Sequence, residues 1–461
     1  MSTLWFESAL LPQGWERGVR LAVTNGRIER VDAGVSPEAA DERHAIAIPG
    51  IPNVHSHAFQ RGLAGLTERR GPTGDSFWTW RELMYRFVER LDPEGLEAIA
   101  GLAYAEMLES GFTQVGEFHY LHHDRGGKPF ADPAEMAVRI AAAAAETGMG
   151  LTLLPTFYAH SGFGGAAPTP RQARFINDVE GFGRIVEGSR AAVKGLSGAV
   201  VGVAPHSLRA VTPVELAGVV EIARSEVIHI HIAEQTKEVD DCVAWSRRRP
   251  IEWLLENQRV DERWCLVHAT QATDAEVRGM AASGAIVGLC PITEANLGDG
   301  IFPAPAFLAL NGRYGVGSDS NVLLDAAEEL RILEYSQRLA HRARNVLASA
   351  EGRSTGRSLL DAALAGGARA LHSTLGSGAK GPQTGALQAG ASADIVTLAA
   401  DHPVLVERRG DEILDSWIFA GGRAVIDCVW RAGVKVVTDG RHYRREALLG
   451  RYRRTLQALL A

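Results

Sequence analysis

Eight apolar segments of strand length recur through the middle of the chain with helix patterning between them, and that alternation limits the fold more than any other feature. They are GIPNVHSH (50–57), FTQVGEFH (112–119), GLTLLPTF (150–157), AVVGVAPH (199–206), VIHIHIAE (227–234), CLVHA (265–269), AIVGLC (285–290) and YGVGSD (314–319). The stretches between them have readable helix starts. Asp92-Pro93, Asp132-Pro133 and Thr212-Pro213 each set a capping side chain before a first-turn proline. Asp132…Glu135, Thr212…Glu215 and Thr273…Glu276 carry the three-residue spacing of a capping box or its aspartate analogue. Gly111, Gly148 and Gly284 stand where a helix should stop ahead of the next strand. Eight strands alternating with helices point to an α/β fold of the (β/α)8 TIM-barrel type rather than an open doubly wound sheet.

The two ends of the chain have a different texture. LWFESALL and VRLAVTNGRIERV read as strands, with Asn25-Gly26 as a hairpin turn. ADIVTLAA (393–400), SWIFAGGRAVI (416–426) and WRAGVKVVTDG (430–440) repeat that style near the other end. The expected organisation is a small β-sandwich domain from residues 1–48 and 384–443, a catalytic barrel over 49–383, and a C-terminal helix over 444–461. Composition narrows the class further. Charged residues are 22% and hydrophobic residues 46%, ordinary for a globular chain. A formal charge of −7 offers no basic footprint for nucleic acid, and no apolar run reaches membrane-spanning length. Cys242, Cys265, Cys290 and Cys428 lie far apart without a CxxC pair, which disfavours a disulfide framework and a thiolate zinc site. The opening residues lack the pattern of a signal peptide, so a cytoplasmic enzyme is expected.

In such a barrel the reactive groups belong at the C-terminal ends of the strands. Strand 1 ends in His55-Ser56-His57, whose two-residue spacing puts both imidazoles on one face. Strand 5 ends in His229-Ile230-His231 with Glu234 beyond it, strand 6 in His268 and strand 8 in Asp319. Histidines from three strand ends and an aspartate from a fourth make a metal site. Imidazole and carboxylate suit zinc, and a bound divalent ion brings water to a pKa of about 7. Glu234 is placed to shuttle protons, and His268 to orient water or polarise a substrate.

PGIPNVHSHAFQRGLAGLTE (49–68), HIAEQ (231–235), LVHAT (266–270) and GVGSDSN (315–321) resemble the amidohydrolase superfamily, and within it the aminohydrolases. The resemblance implies His55, His57, His231 and Asp319 as metal ligands, Glu234 as proton carrier and His268 beside them. His229 is then a core or supporting residue. Relatives that hold two metals do so through a lysine at the end of strand 4. Here AVVGVAPHS has none and Lys194 precedes the strand, so one divalent ion, Zn2+, is implied. Several segments are similar to the formimidoylglutamate deiminases: HSHAFQR (55–61), DSFWTWRELMYRF (75–87), GEFHYLHH (116–123), APHSLRAV (204–211) and SDSNVLLDAAEELR (318–331). That resemblance implies an amidine substrate with two carboxylates, bound by Gln60, Arg81, Tyr120, His206 and Arg209, with Ser320 as a further contact. Arginine is the side chain best suited to a carboxylate.

Several points stay open in the sequence. Arg81 lies among Phe77, Trp78, Trp80 and Tyr85, in an insertion that is either a helix packed on the barrel or a lid. Glu234, His268 and Asp319 are all candidates to take the water proton. His44, His160, His341, His372, His402 and His442 read as surface or structural, and His119, His122 and His123 have no assigned role. A homodimer is implied by the resemblance alone. The competing functions are a nucleobase or nucleoside deaminase, a two-metal amide hydrolase and a noncatalytic scaffold.

Overall fold

The computed structural model describes residues 2–70, 77–371 and 385–461. Asp75, Ser76, His372 and the expected boundary at 383/384 lie outside the described residues.

Four strands open the chain: β1 (Ser2–Leu11), β2 (Gly14–Thr24), β3 (Arg27–Asp32) and β4 (Glu42–Pro49). Asn25 and Gly26 both take positive φ (50° and 78°), as a tight two-residue hairpin requires. The barrel strands follow: β5 (Ile51–Ser56), β6 (Phe112–His119), β7 (Gly150–Phe157), β8 (Val200–Val201), β9 (Ala204–Pro205), β10 (Ile228–Ile232), β11 (Trp264–His268), β12 (Ile286–Leu289) and β13 (Arg313–Val316). They lie parallel in the order β10-β11-β12-β13-β5-β6-β7-β8, with β9 continuing beside β7. The fourth apolar run is thus two short pieces. Between and after them the backbone turns to β10: Val203 N–H donates to the Val227 carbonyl, and His231 N–H to the His206 carbonyl. Those bonds join the two ends of the sheet and curl it into the barrel. The last turn of helix Thr355–Leu371 reaches its interior, where the carbonyls of Ala370 and Leu371 accept hydrogen bonds from His229 Nε2 and Thr152 Oγ1.

β14 (Ile395–Leu398), β15 (Ile426–Arg431), β16 (Val434–Thr438) and β17 (Arg441–His442) complete the second sheet. Its order, β17-β16-β15-β14-β4-β1-β2-β3, interleaves both chain ends. Leu4, Phe6, Val23, Ile28, Ile395 and Trp430 share one buried core. The sheet runs straight into the barrel at Gly50, where a Cβ would sit 2.3 Å from Thr113 Oγ1, so only glycine fits.

Two local expectations are corrected. SWIFAGG is helical, not extended: Trp417–Gly421 is a π-helical turn and Gly422–Val425 a 3-10 turn. Adjacent Trp417 and Ile418 are both fully buried, which a strand with one wet face does not allow. Asp132 does not start its helix either. It accepts the Ala134 N–H in a preceding turn, and the helix begins at Glu135. Asp92, Thr212 and Thr273 cap their helices as expected, the last two with full boxes through Glu215 and Glu276.

Candidate active site

His55 is the next-to-last residue of β5, and His57 follows on the same face just past its end. Their Nε2 atoms are 3.1 Å apart, and His231 Nε2 lies 3.0 Å from His55 Nε2. Asp319 Oδ1 approaches His57 Nε2 to 3.3 Å and His55 Nε2 to 3.5 Å. The ring orientations are set from behind. His57 Nδ1–H donates to the Phe118 carbonyl at 2.9 Å and His231 Nδ1–H to the His206 carbonyl at 3.1 Å. A carbonyl can only accept, so both Nε2 atoms present lone pairs to the centre. Burial holds the three imidazoles neutral, pushing His55 down to about 3 and His57 and His231 below the usual range. Neutral imidazole lone pairs and a carboxylate converging in a buried space repel one another unless a cation sits among them. The donor set fits one divalent ion.

Beside this cluster stand Glu234 and His268. Glu234 Oε1 is 4.0 Å and Asp319 Oδ2 3.8 Å from His268 Nε2. His268 Nδ1–H donates to Glu294 Oε1 at 3.2 Å, and the same oxygen accepts the Cys290 N–H at 2.9 Å. Glu294 went unnoticed in the sequence, for it sits on the short helix Pro291–Leu297 beyond β12 with no motif around it. Burial pushes the Glu234 carboxyl up to about 7. Burial opposes protonation of His268, but Glu234, Glu294 and Asp319 outweigh it and raise the ring to about 10. Ala233, His268, Ala269, Asp319 and Asn321 all have φ between 44° and 69°. That concentration of left-handed, non-glycine backbone at three strand ends marks a place where geometry has been held against local preference.

Above the cluster opens a cavity. Gln60, Arg81, Tyr120, His206, Arg209 and Ser320 all line it, together with His57, His231, Glu234, His268 and Asp319. Tyr85, Tyr158, Phe175, Thr293 and Leu297 line it too, without having been singled out as contacts. Helix α1 (Phe77–Val88) covers one side and carries Arg81. The Arg81 guanidinium stands 4.6 Å from the Trp78 ring and 5.6 Å from Tyr85, and the Arg209 guanidinium 5.7 Å from Trp78. Neither arginine has a carboxylate within ion-pair distance among the described residues, and the buried Nε of each finds no acceptor. Two guanidiniums without an ion-pair partner among the described residues thus face one pocket, an arrangement whose chemistry suits a carboxylate.

Four other histidines bond to backbone carbonyls. His229 Nε2–H donates to the Ala370 carbonyl (2.8 Å), His122 to Thr156 (2.8 Å), His123 to Ile176 (2.9 Å) and His442 to Thr147 (2.9 Å). His119 packs edge-on against His122.

Residues 46–436 match the amidohydrolase family, and residues 1–45 match the N-terminal domain of formimidoylglutamate deiminase HutF. The chain is 51% identical over 448 residues to the formimidoylglutamate deiminase of Pseudomonas aeruginosa, covering 97% of each. It is 29% identical over 368 residues to the 8-oxoguanine deaminase of the same organism, covering 75% of this chain and 78% of that one. The crystal structure of an amidohydrolase from Brucella melitensis is 55% identical and superposes with a TM-score of 0.95 over 100% of both chains. An adenosine deaminase from Xanthomonas campestris with bound zinc, 22% identical, shares the fold at a TM-score of 0.80, covering 99% of this chain and 98% of that one.

Proposed function

The chain belongs to the amidohydrolase family, and from that premise we propose that it is a formimidoylglutamate deiminase, converting N-formimidoyl-L-glutamate and water to N-formyl-L-glutamate and ammonia in histidine degradation. It is a hydrolase of a C–N bond outside peptides. The observation that carries the reading is the pairing in one cavity of a cluster suited to a cation with two arginines that have no ion-pair partner among the described residues. A nucleobase needs no such pair.

His55, His57, His231 and Asp319 are assigned as ligands of one divalent ion, zinc in this reading. That ion supplies the Lewis acidity that makes water a nucleophile at neutral pH. The remaining chemistry belongs to the side chains. Arg81 and Arg209 bind substrate carboxylate with charge-assisted bonds, and Gln60, Tyr120, His206 and Ser320 complete the contact surface. Glu294 accepts the Nδ1–H of His268 and so aims Nε2 at the reacting carbon and the two carboxylates beside it. Glu234, poised near neutrality, carries a proton to the departing nitrogen. The water oxygen becomes the formyl oxygen, the terminal C–N bond breaks, and ammonia leaves.

The test is ammonia release by zinc-loaded protein from N-formimidoyl-L-glutamate, with N-formimidoyl-L-aspartate, guanine and adenosine in parallel. Release from the glutamate compound alone is expected. Release from a nucleobase and not from the dicarboxylate would overturn the reading while leaving the metal cluster in place.

A further inference from the structure

We propose that Tyr158 and Tyr85 form a polarised hydroxyl pair that donates one hydrogen bond to a substrate carboxylate, making them specificity determinants beside Arg81 and Arg209. The proposal deepens the dicarboxylate reading and rests on it.

The argument begins behind the pocket, at Gln172. Its amide oxygen accepts the Thr169 backbone N–H at 2.7 Å and faces the Thr169 hydroxyl at 3.0 Å. That fixes which end of the amide is which. The Nε2 end faces Tyr158 Oη at 2.8 Å and can only donate to it. The proton of Tyr158 must therefore point elsewhere. Tyr85 lines the same cavity beside it, with Phe175 packed against both rings. If Tyr158 donates to Tyr85, the Tyr85 proton is left over; if Tyr85 donates to Tyr158, the Tyr158 proton is left over. Either arrangement leaves one phenol O–H unused, and both phenols line the cavity.

No hydrogen bond among the described residues takes up that proton. Tyr85 and Tyr158 are 4% and 6% exposed, so bulk water is a poor acceptor. Arg81 and Arg209, whose charges reach Tyr85, are donors without acceptor capacity. Burial raises the Tyr85 phenol above its usual range, so it stays a neutral donor at working pH. Rings from two directions hold the pair in place. Phe175 packs against Tyr85 at 6.0 Å and against Tyr158 at 5.9 Å, and His206 meets Tyr158 at 4.5 Å. A buried O–H among guanidiniums, with its oxygen already satisfied from behind, is complementary to an anionic oxygen entering from the cavity. Tyr158 follows the last residue of β7 directly, which is the position where a barrel carries its contacts.

Two measurements on zinc-loaded protein test this: calorimetric binding of glutarate, and steady-state ammonia release from N-formimidoyl-L-glutamate. The variants are Tyr158→Phe, Tyr85→Phe and the pair together. The double variant should weaken glutarate and raise KM by about tenfold to a hundredfold, the worth of a hydrogen bond to a charged group. Its kcat should stay within about threefold, and each single variant should show a smaller loss. A merely structural role would lower kcat, metal content or melting temperature together and would leave no such split. Wild-type affinity for glutarate in the double variant, or equal loss of kcat and KM effects, overturns the proposal. Should the double variant fail to fold, Tyr158→Phe alone must still raise KM severalfold. Loss of glutarate binding in a protein whose wild type does not turn over the formimidoyl compound would reject the functional reading and keep the subsite. A wild type that does not bind glutarate rejects the subsite itself.

Discussion

The floor and the wall of the pocket are built on opposite terms. On the floor, His57 and His231 are locked by backbone carbonyls, and everything that converges is a lone pair or a carboxylate. On the wall, Arg81 and Arg209 stand against the face of Trp78, and neither has an ion-pair partner among the described residues. In the proposed reading the floor takes a cation and the wall an anion. The floor comes from barrel strand ends, whereas half of the wall comes from α1, inserted after the first of them. In the proposed reading chemistry belongs to the floor and selectivity to the wall, and substitutions should separate them in kinetics.

The largest effect belongs to the floor. Glu234→Gln should lower kcat by roughly 10²- to 10⁴-fold, the usual worth of a positioned acid–base group. Metal content should remain that of the wild type, because Glu234 stands beside the proposed ligands and is not assigned as one. Ammonia release and elemental analysis on one preparation decide it. Loss of metal together with activity would break the division by moving Glu234 into the ligand set.

The wall should answer in the other parameter. Arg209→Met or Arg81→Met each removes a charged hydrogen-bond partner worth about 1.5–3 kcal/mol, or roughly ten- to a hundredfold in kcat/KM. The change should fall on KM with kcat nearly kept. A fall in kcat at constant KM would mean that the arginines act in the transition state, and the two regions would no longer be separable.

Glu294 sharpens the boundary from the inside. Glu294→Ala removes the acceptor of His268 Nδ1–H and should cost about tenfold to a hundredfold in kcat, as supporting partners of metal-site histidines do. Glu294→Gln keeps a carbonyl oxygen there for both His268 and the Cys290 N–H and should recover much of that loss. Equal loss in both variants would show that the charge of Glu294, and not its direction, is what His268 needs.

How much of this was legible beforehand follows the same line. The floor residues could be read because two physical rules meet on them: strand periodicity puts His55 and His57 on one face, and parallel barrels expose their C-terminal ends. The same rule reaches Tyr158, one residue past β7, but a lone tyrosine carries no spacing signal that separates it from core aromatics. Glu294 was hidden because its meaning lies in contact with a residue twenty-six positions away. Phe175 sits in the long segment between β7 and the next helix, where no period exists to read. SWIFAGG misled because tryptophan, isoleucine and phenylalanine favour strands on average, while here Trp417 and Ile418 are buried side by side on a helical turn. Local preference located the barrel and the hairpins, and tertiary packing decided the rest.

The smallest expected effect tests how the floor is held and not what it does. Glu117 lies on β6, fully buried, and its Oε1 accepts the N–H of Ala58 at 2.7 Å, just past His57. Its second oxygen has no partner among the described residues, and burial pushes the carboxyl from an ordinary value of 4.5 up to about 8. The folded protein therefore keeps a proton that the unfolded chain releases above about pH 4.5. Unfolding loses a proton throughout that window, so this group makes stability fall as pH rises from about 4.5 to about 8, and the loss levels off above it. Glu117→Gln keeps an acceptor for Ala58 and removes the titration. The variant should melt higher relative to the wild type at about pH 8 than at about pH 5, with kcat little changed. Melting curves of both proteins across that range check the sign. A parallel pH dependence would mean that Glu117 is ionised in the fold, and that the turn carrying His57 is held by a charge instead of a neutral acid.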